Sequence, residues 1–212
     1  MSIPLVSNLR NIDALGSVGF DPTLYHQLIG SLMCLVNTWA HISFAVNYLS
    51  QFMVDPQRVH WMVAKHILRY VIGTMEYGLV YERRGSVLLE GFTDVNWERG
   101  VKDQKSTSSC CFRIGSWVVS WFSGKQKSVS LILAYANYMD ANMDACEGMW
   151  LTKLLPGLFE CEIESIVVHY DNQSGIKIFD NLVLHDRRKH IDIKYHFLRD
   201  CIQRGTIWLE YI

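Results

Sequence analysis

Ile166-Val167-Val168-His169-Tyr170-Asp171 is a nearly continuous apolar run closed by an acid. A short run of this kind reads as a strand buried on both faces near the middle of a sheet. Its neighbours in sequence supply the rest of the sheet. Residues 79–81, 87–93, 110–114 and 117–122 are short stretches rich in β-branched and aromatic residues, separated by charged or Gly/Ser turns. They read as an antiparallel meander. Between the meander and the apolar run, residues 133–155 predict a helix. Its tight apolar line is Ala134, Tyr138, Ala141, Ala145 and Gly148. After Asp171 the pattern predicts a short helix over 173–179 and another over 189–204. The second buries Ile191, Tyr195, Leu198 and Ile202, and Gly205 stops it. Residues 206–212 read as a last strand. The order β-β-β-α-β-α-α-β predicts an α/β fold, a mixed sheet with helices on its faces.

Residues 1–75 carry a different pattern. Leu28, Leu32 and Leu35 mark one helical face and Ala45, Tyr48 and Leu49 another. Asp55-Pro56 has the composition of a helix start. Val59, Val63, Ile67 and Tyr70 then follow at helical spacing up to Gly73. The expected organisation is a helical segment over 1–75 and an α/β domain over 76–212.

Composition narrows the function classes. Half of the 212 residues are hydrophobic, which supports a packed core and argues against wholesale disorder. The formal net charge is −1, so any hold on nucleic acid must come from local basic patches. No stretch reaches the roughly 20 apolar residues of a membrane span, and residues 1–10 lack a signal-peptide core. The expectation is a soluble, intracellular protein, cytoplasmic or nuclear, with no membrane partner. The six cysteines form no CxxC pair and read as reduced thiols. His185, His190 and His196 lack zinc-ligand spacing.

Two carboxylates stand out. Asp94 ends a strand in Phe92-Thr93-Asp94-Val95-Asn96-Trp97, and Asp171 ends the central one in His169-Tyr170-Asp171-Asn172-Gln173-Ser174. Acids at the ends of neighbouring strands can converge on a divalent cation. They serve equally as turn or cap residues. Asn137, Asp140, Asp144 and Glu147 share one helix stripe and read as a solvated polar face.

A family resemblance rests on several motifs in order. Lys102-Asp103-Gln104-Lys105-Ser106-Thr107-Ser108, then Ser120-Trp121 and Lys125-Gln126-Lys127-Ser128-Val129, are similar to the RNase H region of copia-type LTR retrotransposons. So are Asp171-Asn172-Gln173-Ser174-Gly175-Ile176, His185-Asp186-Arg187 and Lys189-His190-Ile191-Asp192-Ile193-Lys194-Tyr195-His196. Tyr25-His26-Gln27-Leu28-Ile29-Gly30-Ser31-Leu32 and Ser43-Phe44-Ala45-Val46-Asn47-Tyr48-Leu49-Ser50 resemble the stretch after the reverse transcriptase palm, its thumb or connection. Plant elements come closest in wording. The resemblance covers residue 20 to the end.

The resemblance implies an RNase H-like fold that was once part of a larger polyprotein with reverse transcriptase. It implies hydrolysis of the RNA strand of RNA–DNA hybrids by two magnesium ions about 4 Å apart, held by four carboxylates. Asp94 and Asp171 match the first and third. The family pattern S-S-x-E-A-E-Y reads Ile132-Leu133-Ala134-Tyr135-Ala136-Asn137-Tyr138 here, so Tyr135 stands at the glutamate position. A phenol ionises only near pH ~10 and is a poor replacement. The fourth carboxylate of the family lies beyond the last strand, and this chain ends at Ile212. The expectation is an RNase H that no longer cuts and holds magnesium weakly through Asp94 and Asp171. Lys105, Lys125, Lys127, Arg188 and Lys189 remain as candidate contacts to hybrid or RNA. Two alternatives stay open: a non-cleaving hybrid-binding module, and a weakly active nuclease using the two aspartates alone.

Overall fold

The computed structural model describes residues 3–5, 18–81, 88–96, 107–125, 133–159, 163, 165–171, 176 and 197–212, and side chains for all of these except 95, 96, 133–141 and 159. The apolar run forms the strand β4, Ile166–Tyr170, and alternates buried and half-buried positions. The meander forms β1 (Leu89–Asn96), β2 (Thr107–Ile114) and β3 (Trp117–Lys125). The last strand, β5, is Ile207–Tyr211. Together they make a five-stranded sheet in the order β3-β2-β1-β4-β5. β1 is antiparallel to β2 and parallel to β4, and β4 is parallel to β5. This is the mixed, RNase H-like sheet expected from the sequence.

One face of the sheet is covered by the helix that follows β3. Leu89, Phe112, Ile114, Ile166, Val168 and Ile207 are buried there with Leu198 of helical residues 197–203. In chain order the helices are α1 (Pro22–Val36), α2 (Ser43–Ser50), α3 (Arg58–Gly73) and α4 (Leu133–Phe159). α4 adds Ala145, Leu151 and Leu155 to the core. Gly148 lets α4 approach the sheet closely: a Cβ there would lie 2.8 Å from Ile166 Cδ1. Gly205, at φ +69°, takes the left-handed conformation that ends the preceding helix.

Clustering of contacts divides the chain into Met1–Gly78 and Leu79–Ile212. The first unit has its own core. Tyr25, Ile29 and Leu32 of α1 pack with Ala45, Val46 and Leu49 of α2 and Val63, Ala64, Ile67 and Tyr70 of α3. The Tyr25 hydroxyl donates to the Leu49 carbonyl at 2.8 Å.

Two local expectations are corrected. α3 starts at Arg58, not at Asp55-Pro56. The Phe20 N–H donates to the Pro56 carbonyl at 2.8 Å and the Arg58 N–H to the Val18 carbonyl at 3.0 Å, so this segment is held extended until Gln57 caps the helix. Residues 79–81 form no strand. Leu79, Val80 and Tyr81 are all exposed, so pairing there would bury neither face. The predicted short helix over 173–179 and the start of the one at 189 lie outside the described residues, apart from helical Ile176.

Candidate functional site

Thr93 of β1 lies opposite Tyr170 of β4 in the parallel pair. The next residues, Asp94 and Asp171, therefore stand side by side just past the last β1–β4 pair, although Asp94 does not end its strand as the sequence suggested: β1 runs on to Asn96, paired with β2. Asp94 is exposed at its tip, yet burial pushes its carboxyl above the ordinary aspartate range and the charge of Asp171 pushes it further. The fold thus brings the two sequence-selected acids together, with their charges in mutual conflict.

That conflict has a sign. The Asp94 pKa is higher folded than unfolded, so the folded state holds the proton more tightly. Stability is full at low pH, falls as pH rises through this window and stays reduced above the folded value. Asp94→Asn should therefore raise the unfolding temperature at neutral pH, and the gain should shrink as pH is lowered. Solvent screening limits the gain to about 1 kcal/mol or less. Thermal unfolding of both chains over a pH series reads it.

α4 runs antiparallel to β1 and β4. Gly148 meets Ile166 and Phe112, and one turn earlier Asp144 meets Tyr170. The helix N-terminus thus points to the end of the sheet that carries Asp94 and Asp171. Tyr135 lies in the first turn of α4, nine residues before Asp144 or about 13.5 Å of axial rise. Its backbone is at the aspartate end, and its side chain is outside the described residues. Lys125 closes β3 opposite Thr107, which is opposite Asn96, so it belongs to the same end of the sheet. Lys105, Lys127, Arg188 and Lys189 lie outside the described residues.

The acidic stripe of α4 is not a solvated face. Asp144 is 4% exposed, and the Tyr170 hydroxyl donates to its Oδ2 at 3.4 Å. Glu147 accepts from the Ser120 hydroxyl at 2.8 Å. The cause is the turn of helix that Gly148 brings against the sheet: Asp144, four residues earlier, shares its inward stripe. Asn137 and Asp140 have no described side chains.

On the opposite face, sequence reading missed a charged network. Arg113 Nε donates to Glu90 Oε2 at 2.9 Å, and His169 Nε2 lies 3.4 Å from Glu90 Oε1. The Phe92 ring stacks on His169 at 4.8 Å. Burial pushes the Glu90 carboxyl up, but Arg113 and His169 outweigh it and hold it below the usual range. Only the Glu90–Arg113 cross-strand register would have revealed the pair, and that register is not visible in one sequence.

Two magnesium ions carry four positive charges, and Asp94 with Asp171 returns two negative ones. Among the described residues, no group of three or more His, Cys, Asp or Glu side chains is arranged to hold an ion. The described acids do not by themselves fit a dinuclear centre. No helix among the described residues is long and apolar enough to cross a membrane.

No protein-family profile matches the chain. It is 35% identical over 192 residues to the retrovirus-related Pol polyprotein from transposon RE1 of Arabidopsis thaliana, covering 91% of this chain and 13% of that protein. It is 32% identical over 218 residues to the Pol polyprotein from transposon TNT 1-94 of Nicotiana tabacum, covering 98% of this chain and 16% of that one. The chain thus spans only a small part of these two polyproteins. Among solved structures, a foamy viral protease-reverse transcriptase in complex with dsDNA aligns over 98% of this chain and 41% of that chain. Its identity is 10% and its TM-score 0.49.

Proposed function

Because the chain belongs to the copia-type retrotransposon Pol proteins, as a homologue of one segment of those polyproteins, we propose that it is an RNase H-like domain that has kept its scaffold and lost hydrolysis. What supports this reading is Tyr135 where the family resemblance implies a glutamate, on a helix whose N-terminus runs toward the end of the sheet that carries Asp94 and Asp171. Among the described residues, no third acid joins these two aspartates, which already repel each other, to hold a second cation.

What remains is contact with the nucleic acid. On this reading the partner is an RNA–DNA hybrid, met at the sheet end where Lys125 and the aspartates lie. Phosphate contacts carry no sequence information and weaken with salt. One preparation of the chain tests both halves. Hybrid binding should fall linearly in log affinity against log salt, with a shallow slope of about −2 to −4 for a few phosphates, while the RNA strand stays intact. A flat salt response would remove the binding half, and released RNA fragments the other.

A further inference from the structure

Where α4 lies over β2 and β3, the chain has a cleft of about 240 Å³. Its lining has two natures. Phe122, which pairs with Cys110 on the face that meets α4, and Met143 are apolar, whereas Ser120, Asp144 and Glu147 are polar. Phe122 and Met143 are 47% and 46% exposed, so the cleft opens to solvent. Asp144 is nine-tenths buried in it, and Glu147 is fixed by the Ser120 hydroxyl. The two acids are three residues apart on α4, about one turn. Burial pushes the neighbouring Cys110 thiol up, and Asp144 and then Glu147 push it further. Both negative charges are thus felt at one point of the lining, to which the described residues contribute no lysine or arginine.

The lining discriminates among cations. A magnesium ion prefers six oxygens in octahedral array and keeps much of its water. This cleft sets two carboxylates and two serine hydroxyls beside a thiol, the Phe122 ring and a thioether. A planar, delocalised cation suits it better. Such a cation is weakly hydrated, lays its flat body on aromatic and thioether surface, and presents paired N–H donors to a carboxylate. We propose that the cleft binds a small organic cation of the amidinium or guanidinium class, with Glu147 and Asp144 as acceptors and Phe122 and Met143 as the apolar seat. This site is separate from the Asp94–Asp171 pair and does not depend on hydrolysis or hybrid binding.

The test uses the full chain and two isosteric probes, benzamidine and neutral benzamide, titrated in parallel by calorimetry. Benzamidine should bind at least about tenfold more tightly than benzamide, and Glu147→Gln should remove most of that difference. Asp144→Asn should do the same, with benzamide affinity kept as the check that the cleft still exists. Equal affinity for the two probes on the natural chain would overturn the proposal, whatever the variants do. So would an unchanged benzamidine affinity in Glu147→Gln, or no benzamidine binding at all.

Discussion

Incubated with an RNA–DNA hybrid and magnesium, the chain should cleave about a thousandfold more slowly, or worse, than an RNase H with its full set of carboxylates. The size follows from charge. One carboxylate about 4 Å from a divalent ion contributes roughly 4 kcal/mol per unit charge at an effective dielectric of 20. Each 1.36 kcal/mol is tenfold in rate, so the loss of one such group reaches about three decades when it acts fully in the transition state. Water refills part of the gap in the ground state, where it lowers affinity less than it lowers rate. Tyr135→Glu supplies a discriminating arm. A magnesium affinity raised about tenfold by that single change would put position 135 within reach of the pair. No change would move the lost ligand to another position of α4, with Asn137 the next to test. Cleavage by the natural chain at the rate of an intact enzyme would defeat the whole reading.

The sheet was legible because most of its strands are short runs rich in β-branched and aromatic residues between turns, and its central one is a nearly uninterrupted apolar run. The placement of Asp94 beside Asp171 was legible because the two strands must be neighbours for the apolar run to be buried, though β1 runs two residues beyond Asp94. Other features were not legible. Residues 79–81 look like a strand by composition, but nothing in three residues says whether a partner is available. The start of α3 is decided by a bridge between Gly19 and Gln57, a contact between residues far apart in sequence. The acidic stripe failed most instructively. Helical periodicity groups Asp140, Asp144 and Glu147 on one face, and charge argues that the face is wet. Which face meets the sheet is settled by the one glycine that lets the helix approach. With Gly148 turned inward, Asp144 follows it into the core and finds the Tyr170 hydroxyl.

Gly148→Leu should destabilise the α/β unit by about 3 kcal/mol, the largest loss expected from a single change in α4. Two effects oppose each other. A residue other than glycine inside a helix gains about 0.8–1 kcal/mol of intrinsic preference. Against it, even a Cβ at this position lies 2.8 Å from Ile166 Cδ1 and 3.3 Å from Phe112 Cε1. Both neighbours are fully buried, so neither can swing out to make room. Alanine would come near to balance, because Ile166 Cδ1 is the far end of a flexible side chain. Leucine adds three more carbons to the same gap and must lift the helix from the sheet. Gly157 is the internal control: it is in the same helix, and a Cβ there meets nothing within 4 Å. Gly157→Ala should therefore be neutral or slightly stabilising. Denaturant midpoints at constant slope read both changes. A Gly148→Leu chain as stable as Gly157→Ala would mean that α4 does not rest on Ile166. The inward turn of Asp144, and the end of the sheet toward which Tyr135 is carried, would then have to be drawn again.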